Sequence, residues 1–127
     1  MLKFHQFINE SNDISDIQDI LNIARDEEFI VKLEKNAKLK YYLIRIGNVN
    51  KWDISHNKET IRVFSEVYQR LSDISDFECQ LYYIRNTVSG DPTSSSLLVK
   101  SVDDIIKLEN HHIHSMVFRS PSNFDLY

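Results

Sequence analysis

The stretch Leu39-Lys-Tyr-Tyr-Leu-Ile-Arg-Ile46 constrains the fold more than any other part of the chain. It is rich in the β-branched and aromatic residues that suit a pleated surface. It is also apolar on both faces, as a strand inside a sheet would be. Just before it, Phe29, Val31 and Leu33 alternate with Ile30, Lys32 and Glu34, the period of two that marks a strand with one wet face. Glu34-Lys-Asn-Ala-Lys38 supplies a turn between the segments, so they are predicted to pair as an antiparallel hairpin.

Helical spacing governs what flanks this hairpin. Ile14, Ile17, Leu21 and Ala24 recur on one side of a predicted helix over residues 14–25, with Asp16, Asp19 and Asn22 between them. Ser15 to Gln18 has the form of a capping box, and Asp13 is an alternative cap. Gly47 to Asn50 reads as a turn and Lys51 to Ile54 as extended or irregular chain. Asn57 is placed to cap the clearest helix, where Ile61, Phe64, Tyr68 and Leu71 form an apolar stripe and Lys58, Glu59, Arg62, Glu66 and Arg70 face water.

A further strand is expected over residues 77–85, with Cys79 as a small buried filler. Residues 86–96, with Gly90 and Pro92 and no large core former but Val88, read as a long loop before a short strand, Leu97 to Val99. Ser101-Val-Asp-Asp104 has a capping-box shape and precedes a short helix through Ile105, Ile106 and Leu108. A last strand, Ile113 to Phe118, leads to a polar tail. The predicted fold class is α+β: a mostly antiparallel sheet of four to five strands with two or three helices packed on it.

A chain of 127 residues suffices for one buried core. No apolar run approaches the roughly 20 residues of a membrane span, and no secretory signal is recognisable, so no membrane association is expected. One cysteine excludes an intrachain disulfide. The net charge of −4, from 15 basic and 19 acidic residues, argues against strong nucleic-acid binding, which needs a concentrated basic surface. The densest basic group, Lys32, Lys35, Lys38 and Lys40, is interrupted by Leu33, Glu34 and Leu39 and suits a solvated hairpin face. That balance shifts weight toward a protein partner.

Candidate chemistry centres on His111-His112-Ile113-His114. On a strand, His112 and His114 share a face, a spacing that metal sites use. A third ligand would come from His56, Asp53, Glu109 or Cys79, and no second motif selects among them. His112, His114 and His56 are therefore only weak metal candidates, and no cofactor is expected. The hydroxyl-rich loop after Val88 lacks the Walker pattern, and no serine sits in a nucleophile elbow. Acids at Asp26-Glu27-Glu28, Asp73 with Asp76, and Asp103-Asp104 are read as ordinary features of helix ends and caps. The adjacent tyrosines Tyr41-Tyr42 and Tyr82-Tyr83 put one ring on each face of the sheet, and burial under helices on both sides is the expected cause.

The opening segment carries a different kind of signal. Met1-Leu-Lys-Phe-His-Gln-Phe-Ile-Asn-Glu10 combines a lysine, aromatic residues at Phe4 and Phe7, and Ile8-Asn9-Glu10 directly before polar Ser11. It resembles the capsid-targeting leader of internal head proteins of T-even-type bacteriophages, whose prohead protease cuts after the glutamate of a Leu/Ile-x-Glu site. Of the glutamates in this chain, Glu10 alone has Leu or Ile two residues upstream. The resemblance implies a leader at residues 1–10, cleaved after Glu10, and a globular domain at residues 11–127. It also implies that Phe4, Phe7, Ile8, Glu10 and Ser11 serve recognition by the protease and the capsid core.

A role in the virion interior and then the host cytoplasm follows, with inhibition of a host defence protein by surface contact as the leading expectation. A small enzyme acting on nucleic acid or nucleotides through the histidines, and a structural head component without host activity, are the alternatives.

Overall fold

The computed structural model describes residues 16–36, 38, 41–50, 52–74, 76–86 and 92–120. The hairpin forms as the alternation requires: β1 (Ile30–Asn36) and β2 (Tyr41–Gly47) pair antiparallel, with Val31 opposite Ile46 and Leu33 opposite Ile44. A second hairpin joins β3 (Glu78–Asn86) to β4 (Pro92–Val99). The last strand, β5 (His112–Arg119), inserts between the two hairpins and pairs antiparallel with both β2 and β3. The result is an antiparallel five-stranded sheet in the order β1-β2-β5-β3-β4.

Helix α1 covers residues 16–26 of the described chain, α2 spans Asn57–Ile74 and α3 spans Val102–Ile106. They contribute Ile17, Leu21 and Ala24, then Val63, Phe64, Val67 and Leu71, then Ile105, to a buried cluster with Ile44, Ile46, Leu81, Ile113, Met116 and Phe118 of the sheet. Helix α2 is rotated slightly from its expected stripe: Thr60, Val63 and Val67 are buried, while Ile61 and Tyr68 pack at the margin. Cys79 is buried as a filler, and burial pushes its thiol pKa up.

Four expectations need correction. β2 is an inner strand, yet among the described residues the helices cover only one of its faces. Leu43 is half-buried and Arg45 exposed, because alternation turns them away from the helices. The tyrosine pair of β3 divides accordingly, with Tyr83 packed on the core and Tyr82 half-buried, its hydroxyl donating to Gln80 at 3.3 Å. Next, Thr93 to Ser96 belong to a strand and not to a loop. Their register with β3 supplies backbone hydrogen bonds without large side chains, and Pro92 occupies the first strand position.

Asn57 does not cap α2 with its side chain. It already has helical φ and ψ, and its amide donates to the carbonyls of Glu109 and His111, both at 2.6 Å. Residues 54–56 form a 3-10 turn instead, and Asp53 caps that turn through the Ser55 N–H.

Finally, β5 is not a simple two-residue repeat. Tyr82 faces Ser115 and Tyr83 faces Ile113, so His114 is an extra residue in a β-bulge. The bulge shifts the phase of burial and lets Ile113, Met116 and Phe118 all point to the core.

Candidate functional site

At one end of the molecule two local rules are broken together. Helix α1 closes with Glu28 N–H donating to the Arg25 carbonyl (3.1 Å) and Phe29 N–H to the Ala24 carbonyl (3.0 Å), the double bond of a Schellman ending. The position that normally takes glycine holds Glu28 at φ 67°. Left-handed backbone is costly for any residue with a Cβ. The same turn concentrates Asp26, Glu27 and Glu28 at the C-terminal end of a helix, where the macrodipole disfavours negative charge. The reading of these acids as ordinary helix-end residues therefore fails, because they sit at the wrong end.

These acids wall a cleft of about 310 Å³ with Phe29, Asn48, Asn50, His56, Glu59 and Thr60. Arg62 of α2 spans part of it, donating to Glu27 at 3.1 Å and to Glu59 by a short contact. That contact holds the Glu59 carboxyl below its usual range. Among the described residues, Asp26 and Glu28 take part in no ion pair.

Asn48, Asn50 and His56 form the opposite wall, in a stretch of chain anchored at its two ends by the buried Asn48 and Asn57. The Asn48 amide donates to the Ile113 carbonyl (2.9 Å), its own N–H donates to the His114 carbonyl (2.9 Å), and its Oδ1 accepts the Asn50 N–H (3.0 Å). Asp53 and His56 lie 3.2 Å apart. The Asp53 carboxyl is held below its usual value, first by the Ser55 hydroxyl and backbone and less by His56.

Between these anchors, large apolar groups are exposed. Val49 and Trp52 are each 57% exposed and Ile54 is 43% exposed. The Trp52 ring leans on His112 with centroids 5.6 Å apart. Ile54 continues into a groove of about 470 Å³ that it lines with Asn57, Ile61 and Ile106. Exposed aromatic and aliphatic groups beside a charged border are a common composition of a protein contact surface.

The structure does not gather the histidines. His56 is on the 3-10 turn, His112 lies under Trp52, and His114 Nδ1 is 3.0 Å from the Ser115 hydroxyl. Among the described residues no group of three or more His, Cys, Asp or Glu is placed to hold a metal ion. Phe4, Phe7, Ile8, Glu10 and Ser11 lie outside the described residues. Sequence reasoning missed Trp52, Val49 and Glu28. A lone tryptophan in an irregular segment was the one available signal, and nothing local marks Glu28 as left-handed.

No protein-family model and no solved structure matches the chain. It is 28% identical over 124 residues to Reticulocyte-binding protein 2 of Plasmodium vivax (strain Belem), a match that covers 87% of this chain and 4% of that protein. No helix among the described residues is long and apolar enough to cross a membrane.

Proposed function

We propose that the chain is an internal head protein of a T-even-type bacteriophage that inhibits a host defence enzyme by surface contact. In this reading the leader carries it into the capsid core, the prohead protease cuts after Glu10, and residues 11–127 enter the host cytoplasm with the DNA. The leader residues Phe4, Phe7, Ile8 and Glu10 support the first part.

The observation that carries the contact is the exposed Trp52 loop beside a strained acidic turn. Apolar anchors supply affinity, and the carboxylates select a partner surface with basic groups and speed its approach. A nucleic-acid-processing enzyme carries such a surface for its own substrate.

Mass spectrometry of purified virions tests the reading. A peptide that begins at Ser11 is expected. Virions that lack the chain, or contain it with residues 1–10 still attached, exclude the assignment.

A further inference from the structure

The two edges of the sheet are built differently. β1, at one edge, carries Lys32, Glu34 and Lys35 along its length. Charged residues of this kind discourage a second chain from adding to an edge. β4, at the other edge, reads Pro92-Thr-Ser-Ser-Ser-Leu-Leu-Val99 and has no charged residue. Among the described residues, β3 is its sole strand partner. Its outer backbone groups present a strand-length row of donors and acceptors, and Leu98 stands 45% exposed on it.

We propose that β4 pairs antiparallel with β4 of a second copy about a two-fold axis normal to the sheet. Such an axis keeps the helices of both copies on one side and joins two five-stranded sheets into one.

The choice of a second copy rests on how this strand matches its own reverse. With the axis at Ser96, Thr93 lies opposite Val99, Ser94 opposite Leu98, and Ser95 opposite Leu97 of the other copy. Each small hydroxyl-bearing residue meets a larger apolar one, so neither face of the junction crowds. No charged residue of the strand is opposed by itself, although the chain as a whole carries −4. β1 would instead bring its own lysines and glutamate into the junction. The pairing depends on neither the leader nor the acidic cleft.

Sedimentation analysis of the full chain, up to about 1 mM, should show a reversible monomer–dimer equilibrium. Ser96 is exposed, and Ser96→Lys places two ammonium groups across the axis, which should weaken association by about tenfold or more. Mixing Ser96→Lys with Ser96→Glu should restore it as a heterodimer.

A monomer at every concentration, or a dimer indifferent to Ser96→Lys, overturns the proposal. Hydrogen exchange on the unaltered chain gives a readout free of any folding defect. The alternate amides of Thr93 to Val99 that point away from β3 should gain protection as concentration rises, and unchanged protection there counts against the pairing.

Discussion

At the scale of single residues, buried polar side chains hold the candidate site to the sheet. Asn57 satisfies the carbonyls of Glu109 and His111 at once, and so fixes the approach of the chain to β5. Asn57→Ala leaves both acceptors without that donor, at a cost of about 1–3 kcal/mol, to be read from urea unfolding. Asp104 does similar work nearer the surface, accepting the N–H groups of Lys100 (2.8 Å) and Ser101 (3.2 Å). The bond from Lys100 first, then the Lys107 ammonium and last the Ser101 N–H, hold its carboxyl below its ordinary value of 3.8. A lowered folded-state value means that the stabilisation is complete above the ordinary carboxylate range and is lost as pH falls through the lowered value. Asp104→Asn should therefore melt below the unaltered protein at neutral pH, and thermal unfolding at successive pH values should show the gap closing as pH falls below the ordinary carboxylate range.

Among the elements, the ending of α1 and the bulge of β5 depart furthest from simple pattern. Glu28 occupies a left-handed position and places a carboxylate at a helix C-terminus. Glu28→Gly removes both penalties, and the gain exceeds the extra entropy of an unfolded glycine by about 0.5–1 kcal/mol. A rise in the denaturation midpoint is the expected result, and a fall would show that the carboxylate has a stabilising partner. That a stabilising substitution is so close at hand suits a turn shaped for contact.

The elements themselves were largely legible. Alternation located β1, and the stripe through Phe64 and Leu71 located α2. β4 was half hidden, because Thr93 to Ser96 have loop composition and are held in a strand by β3. The bulge at His114 was hidden altogether, since it exists only in the register between β5 and β3.

At the scale of the whole molecule, the acidic clusters lie on the helical side. Among the described residues, Asp16, Asp19, Glu66 and Asp73 surround one groove together with Arg70, and the acidic turn lies at its end, while the face of the sheet turned from the helices mixes Lys32, Arg45 and Arg119 with Glu34 and Glu78. Removing residues 1–10 deletes Lys3 and Glu10 and keeps the balance, 14 basic against 18 acidic residues. A partner drawn to the acidic end should bind more weakly as salt rises. Trp52→Ala should change stability by no more than about 0.5 kcal/mol, because the ring is exposed. The same variant, carried in virions, should lower plating efficiency on a restricting host by about tenfold or more, and undiminished plating would remove Trp52 from the contact.

The sequence by itself determined the α+β class, the antiparallel character of the first hairpin and the long helix, because periodicity is a property of neighbouring residues. Only the tertiary structure decided that, among the described residues, the helices cover a single face, that β5 lies between the hairpins, and that an irregular segment becomes the wall of a cleft and exposes Trp52. Those outcomes depend on hydrogen bonds such as Asn48 to Ile113, which join residues 65 apart in the chain and leave no trace in the local pattern of either partner.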